Sequence, residues 1–160
     1  MNILDFGCGN GVMLPTLAKH FSSVTAYDKY PDAARELTVK LKLNNVEVRR
    51  ASFAGYVPFR DKQFDVVWAS SVLEHIKNLD LVTYQLYRVS RPGGQLLFLS
   101  PSEDWRYRLG RKLFGLEKPK DHYWTGEQIH QVLCRYFTCE VKKTWPPLLG
   151  TYVMGRYRRE

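Results

Sequence analysis

Residues 2–11 read NILDFGCGNG: a short apolar run, Ile3 to Phe6, breaks into a loop with glycine at every second position, Gly7, Gly9 and Gly11. A buried strand that ends in such a loop and leads into helix-period residues is a strand–loop–helix unit. Its glycines let the backbone turn tightly and approach a ligand closely. The spacing differs from the GxGxxG of dinucleotide enzymes, so the pyrophosphate fingerprint does not match. Asp5, two residues before the first glycine, directs a carboxylate at the loop; it would repel a pyrophosphate and suits a ligand with an amino group or positive centre. Asp28 ends a second apolar run 17 residues after Gly11, where an acid accepts both hydroxyls of a ribose. These residues describe a nucleoside with a cationic end.

The rest of the chain continues the rhythm. Helix spacing over Val12 to His20 and Pro31 to Leu43 alternates with strands at Val24 to Tyr27 and Val46 to Val48. FDVVWASS (64–71), a helix over Leu79 to Val89, and QLLFLS (95–100), launched by Pro92-Gly93-Gly94, extend it. Continuous apolar strands joined by helices predict an α/β fold: a Rossmann-like three-layer sandwich of about seven strands, mostly parallel with the last antiparallel, and helices on both faces. Right-handed crossovers put the strand C-termini on one edge, where ligands bind. Residues 102–124, dense in Arg, Lys and aromatic residues, read as a basic aromatic insertion over that edge within a single domain of residues 1–160. Thr125 with Gln128 predicts a capping box opening a helix through roughly Arg135, and Phe137 to Val141 and Leu149 to Tyr157 predict closing strands.

Composition bounds the function. The 160 residues are 44% hydrophobic and 25% charged, without a signal peptide pattern or a long apolar span, which predicts one globular, cytoplasmic domain. Three cysteines, an odd number with no CxxC pair, indicate neither a disulfide framework nor a metal site. The net charge of +8 fits an anionic partner or a solvated basic surface equally.

DFGCGNG, taken with YDKYP (27–31), FDVVWASSVLEHI (64–76) and RVSRPGGQLLFLSP (88–101), resembles the class I S-adenosylmethionine-dependent methyltransferases, in the branch that methylates quinone precursors and other small molecules. The resemblance implies S-adenosylmethionine as cofactor and S-adenosylhomocysteine as its product. Asp5, Gly7, Cys8, Gly9, Asn10 and Gly11 would then shape the methionine pocket, Asp28 and Lys29 the ribose site, and Ala69 and Ser70 the floor beneath the donor methyl. The family often carries an Asp for the adenine amino group ahead of a Leu-Pro-Phe turn. Here Ser52 or Phe53 stands in that place before Val57-Pro58-Phe59, so a hydroxyl, a backbone group or a ring face is expected to hold the adenine.

For the acceptor, Glu74 and His75 in VLEHI, and His122 in DHYWT, are candidates for acceptor contact or proton removal. Against this, Glu74 could brace the loop, His75 pack on the next helix and His122 fix the entry to the last one. The chain lacks an Asn/Asp-Pro-Pro-aromatic turn after the fourth strand and a suitably placed nucleophilic cysteine, which turns the expectation from nucleobases to O- or C-methylation of a small-molecule or amphiphilic acceptor. Trp105, Leu109, Leu113 and Leu116 share a helical face with Arg106, Arg111 and Lys112 mainly elsewhere. Such a segment, 105–118, could cover the site as a lid or touch a membrane surface. Its Arg and aromatic residues also suit RNA, so an RNA methyltransferase is a second expectation, and a methyltransferase-like binding module without activity a third. Relatives of this kind place a helical segment before the first strand; here the insertion, or the second subunit of a homodimer, is expected to close the site.

Overall fold

The computed structural model describes residues 1–52, 56–103, 105–113, 115, 121–146 and 150–160, with the backbone alone at Arg106, Arg108 and Gly110. Five strands form the parallel part of the sheet: β1 (Asn2–Phe6), β2 (Ser23–Asp28), β3 (Val46–Arg50), β4 (Phe64–Ser70) and β5 (Ser90–Pro101). β6 (Thr138–Trp145) and β7 (Tyr152–Arg158) complete a seven-stranded sheet of order β3-β2-β1-β4-β5-β7-β6. β7 runs antiparallel to both its neighbours. Successive strands therefore leave β1 first in one direction and then, from β4, in the other. The gap between β1 and β4 is the switch point at which open α/β sheets bind ligands.

Helices cover both faces because the strands are apolar on both. On one face, α1 (Leu14–His20) and α2 (Asp32–Lys40) bury Leu14, Leu17 and Ala34 against Ile3, Val24, Ala26 and Val66. On the other, α3 (Leu79–Val89) and α5 (Gly126–Leu133) bury Leu79, Leu86, Ile129 and Leu133 against Leu4, Val67 and Leu96. Each fully buried Leu or Ile side chain contributes roughly 1.5–3 kcal/mol. The α5 capping box forms as the sequence predicts: Gln128 N donates to Thr125 Oγ1 at 3.2 Å and Thr125 N to Gln128 Oε1 at 2.9 Å.

Several boundaries differ from expectation. Gly11 adopts a left-handed φ of +80°, so helix α1 starts at Leu14 rather than Val12. The Pro92-Gly93-Gly94 turn is a bulge inside a longer β5: pairing steps from Phe64↔Ser90 to Val66↔Gln95. α5 ends at Leu133, and Phe137 packs in the core ahead of β6 instead of opening it. Leu149 and Leu116 lie outside the described residues, as does Phe53.

A helix, α4 (Trp105–Leu113), forms within the 102–124 segment, but its apolar side is not the packed one. Trp105, Leu109 and Leu113 are exposed, while Tyr107 meets Tyr152 edge-on and Arg111 reaches back to Glu103 at 3.6 Å. The described part of α4 thus leaves its apolar stripe, Trp105, Leu109 and Leu113, open to solvent. Among the described residues, no helix is long and apolar enough to cross a membrane.

Candidate active site

The loop after β1 is shaped by three glycines with φ of +79°, +50° and +80° at Gly7, Gly9 and Gly11. A left-handed backbone costs an L-residue roughly 1–2 kcal/mol, which explains why glycine stands there. Gly7 has a second reason: a Cβ would lie 2.3 Å from Val72 Cγ2, so the loop packs directly on the segment after β4. At Gly9 a Cβ would meet no atom within 4 Å; the backbone faces open space at the ligand edge. Gly7 N donates to Tyr27 O at 2.8 Å, tying the loop to β2.

Asp28, at the end of β2, holds the two parts together. Its Oδ2 accepts from Gly9 N at 2.9 Å and its Oδ1 from Tyr30 N at 2.8 Å, leaving the remaining lone pairs of each oxygen for a ligand. Asp5 is buried beneath the loop, and burial, then the charge of Asp28, pushes its carboxyl up from 3.8 to about 7. Burial, then Asp5 and Asp28, likewise raises the Cys8 thiol to about 12, which disfavours the thiolate form. Asn10 is exposed at the loop tip.

Beside this loop opens a cleft of about 650 Å³. Phe6, Tyr27, Ala51 and Val57 give it apolar walls, and Lys29 and Ser52 stand at its polar side. Ser52 brings a hydroxyl, not a carboxylate, to this wall. These features fit S-adenosylmethionine: an open backbone cradle at Gly9, an acid at the ribose position, a buried acid for an ammonium and an apolar slot for a purine.

The other half of the edge is made of side chains. β4 ends at Ala69 and Ser70, the first buried and the second half-buried. Ser71 then takes a left-handed φ of +50°, its N donating to Leu99 O at 2.8 Å. That turn sends Val72 onto Gly7 and starts a short 3₁₀ turn, Leu73–His75. The chain returns over it at residues 121–125: Tyr123 N donates to Glu74 O at 2.8 Å and Trp124 Nε1 to Ile76 O at 2.7 Å. The fold thereby brings together Glu74, His75 and His122, whose ligand-capable atoms lie within 4.8 Å of one another. His75 also lines the cleft that Lys29 and Ser52 share.

Glu74 is buried, and burial raises its carboxyl above the usual range. Its Oε2 accepts from Ser100 Oγ at 3.0 Å, so it does brace the end of β5 as well as facing the histidines. Two residues not singled out from sequence complete the cluster: Asp121 Oδ2 lies 2.9 Å from His75 Nδ1, and Glu103 Oε1 lies 2.7 Å from His122 Nδ1. Asp121 is adjacent to His122 in the chain and could have been flagged for that; Glu103 carries no local signal.

The profile of the family described as a methyltransferase domain matches residues 4–98. Among curated proteins, the malonyl-[acyl-carrier protein] O-methyltransferase of Erwinia billingiae is 29% identical over 118 residues, 73% of this chain and 45% of that protein. The ubiquinone biosynthesis O-methyltransferase of Pseudomonas fluorescens is 33% identical over 98 residues, 60% of this chain and 42% of that one. The chain thus spans less than half the length of these relatives. Among solved structures, a Pyrococcus horikoshii protein superposes with a TM-score of 0.81 at 22% identity, covering 99% of this chain and 82% of that one. A SAM-dependent methyltransferase from Aquifex aeolicus gives 0.79 at 22% identity, covering 99% and 81%. The N-methyltransferase NodS of Bradyrhizobium japonicum, in complex with S-adenosylhomocysteine, gives 0.75 at 19% identity, covering 99% and 77%. These structural matches share the fold.

Proposed function

The chain belongs to the family of S-adenosylmethionine-dependent methyltransferases, and from that premise we propose that it moves a methyl group from S-adenosylmethionine to an oxygen of a small-molecule acceptor. The observation that carries this reading is the Gly9 N to Asp28 Oδ2 hydrogen bond, which holds the glycine loop and the ribose acid in one frame beside the cleft. When bound, S-adenosylmethionine supplies a methyl group already activated on a sulfonium, so the protein's work is mainly positioning. Asp28 orients the ribose hydroxyls, Asp5 receives the amino group, and the walls of Phe6, Tyr27 and Val57 take the purine with Ser52 at its edge. The acceptor meets the edge of the cleft that carries Glu74, His75 and His122.

Two O-methyltransferases among the similar proteins support an oxygen acceptor. The exposed stripe Trp105, Leu109 and Leu113 on α4 favours an amphiphilic acceptor, or contact with a membrane surface, as a second reading of the same chemistry. An RNA acceptor gains less, because Arg111 turns inward to Glu103 instead of outward to a phosphate. The three cysteines are free, which fits a reducing, cytoplasmic compartment.

Calorimetric titration with S-adenosylhomocysteine tests the reading. Micromolar binding, about −8 kcal/mol, is expected. Asp28→Ala removes an ionic acceptor from the ribose and the loop, at about 1.5–3 kcal/mol per hydrogen bond, and is expected to weaken binding about 100-fold. No heat from the wild-type chain would overturn the proposal.

A further inference from the structure

Glu74, His75 and His122 form a set of one carboxylate and two imidazoles drawn from two chain segments, with their ligand-capable atoms within 4.8 Å of one another. We propose that this set binds a divalent transition-metal ion. Three observations on separate groups support it.

Glu74 Oε1 is the first. The residue is 1% exposed, Ser100 donates to its Oε2, and Oε1 is buried with no hydrogen-bond partner among the described residues. A carboxylate oxygen stranded in that way is costly unless a cation or donor meets it.

The second is the backing of both rings. Asp121 lies at 2.9 Å from His75 Nδ1 and Glu103 at 2.7 Å from His122 Nδ1. A carboxylate on one ring nitrogen fixes the proton there and leaves the other nitrogen, Nε2, with its lone pair. Metal-binding histidines are oriented by this carboxylate–imidazole pairing. Here it occurs on both rings of one cluster, and the rings meet at 80° with centroids 4.7 Å apart.

Third, Glu103 is held at a strained backbone angle, φ +53°, though it is 8% exposed and not glycine. Strain of this kind persists where the surroundings enforce it, and it gathers at functional sites. Arg111 of α4 lies 3.6 Å from Glu103 and balances its charge.

Two nitrogens and one carboxylate oxygen suit zinc, iron(II), cobalt(II) or nickel(II) better than magnesium or calcium, and three protein ligands leave coordination positions open. His75 lines the cofactor-side cleft, so the open side is where an acceptor oxygen would bind; this part rests on the methyl-transfer reading above. A metal there lowers the pKa of an acceptor hydroxyl, whose proton passes to solvent water. The oxygen then forms the O–C bond as the S–C bond of the sulfonium breaks and its electron pair returns to sulfur. The ligand set is invisible to sequence spacing because residues 74–75 and 122 are brought together by the sheet edge and not by a local motif.

The test is titration of the chelator-treated chain with Co²⁺, followed by visible d–d absorption, with the urea unfolding midpoint measured on each variant as a check of fold and S-adenosylhomocysteine binding measured on the wild type. One Co²⁺ per chain at micromolar concentration is expected, with affinity lost more than 100-fold in Glu74→Gln and in His122→Ala. His75→Ala, at a half-exposed position, gives the same loss without disturbing a buried group. Asp121→Asn, which alters only the backing of His75, is expected to lose about tenfold. Absence of Co²⁺ binding overturns the proposal, as does binding that survives these variants or that shows the thiolate charge-transfer band of the separate His130, Cys134 and Cys139 group. If S-adenosylhomocysteine fails to bind while Co²⁺ binds, the methyl-transfer reading falls and the metal site stands.

Discussion

The loop after β1 presents backbone to the ligand edge, whereas the edge between β4 and α5 presents side chains, and the two regions fail in different ways when altered. In the loop, three left-handed glycines and two backbone donors, Gly7 N and Gly9 N, lie within a few residues of one another. In the edge between β4 and α5, Glu74 and His75, then Ser100 and Glu103, then Asp121 and His122 come from three stretches of chain. A site made of backbone depends on torsion angles and on what a Cβ would strike. A site made of side chains depends on charge pairing and on long-range anchors. Asp5 and Asp28 sit between the two kinds, as charges that serve a backbone loop.

Asp5 gives the largest expected effect. Because burial, and then Asp28, raises its folded carboxyl from 3.8 to about 7, the folded chain binds that proton more tightly than the unfolded one. The stability so contributed is complete below about pH 4 and is lost as the pH rises through about 7. At about 1.4 kcal/mol per pH unit, the loss is at most about 4 kcal/mol. Urea unfolding is expected to show the wild type weakening with pH relative to Asp5→Asn; parallel profiles would remove Asp5 as a buried acid. An ammonium bound beside Asp5 favours its ionised form, so S-adenosylhomocysteine binding near pH 7 should release part of a proton, seen as a buffer-dependent heat.

Paired glycine variants come next. Gly7→Ala places a methyl group 2.3 Å from Val72 Cγ2 at a φ of +79°, combining torsional strain with overpacking, about 3 kcal/mol in all. Gly9→Ala meets nothing within 4 Å and costs the fold only the torsional part, about 1 kcal/mol, yet it fills the space before the loop. Urea midpoints should single out Gly7→Ala, and calorimetry should show Gly9→Ala binding S-adenosylhomocysteine at least tenfold more weakly than its stability loss suggests. Equal behaviour of the two variants would erase the distinction between a loop that packs and a loop that binds.

The same contrast explains what the sequence disclosed. Gly7, Gly9, Gly11 and Asp28 were legible because the requirement for left-handed backbone and a strand-end acid is local. Helix α3 was legible to the residue, Leu79–Val89, since its apolar period and flanking turn are also local. Glu74, His75 and His122 could each be named, but their meeting depends on the β4–β5 register, Ser70↔Leu99, and on Tyr123 folding back onto Glu74 O. Neither is written in any short stretch, and Glu103 went unseen for the same reason. For α4, periodicity identified which residues share a face but not which face packs: Tyr107 and Arg111 face the protein and Trp105 faces solvent. At Pro92-Gly93-Gly94 the structure has a bulge within β5 where the sequence predicts a turn, because both use the same residues.

Thr125 offers the smallest change that still separates the two regions. Its side chain caps α5 immediately after His122, Tyr123 and Trp124, so it fixes the return path of the chain without touching the glycine loop. Thr125→Ala removes one half of the capping box and is expected to cost about 1 kcal/mol, or about 2–4 °C in Tm. Because Tyr123 N and Trp124 Nε1 still hold the segment on residues 74–76, the cluster of Glu74, His75 and His122 should loosen and not disperse. Co²⁺ affinity should therefore fall severalfold while S-adenosylhomocysteine affinity is unchanged. A matching loss in both would mean that the cap's stability is shared across the ligand edge, and that backbone and side-chain halves respond as one cooperative unit.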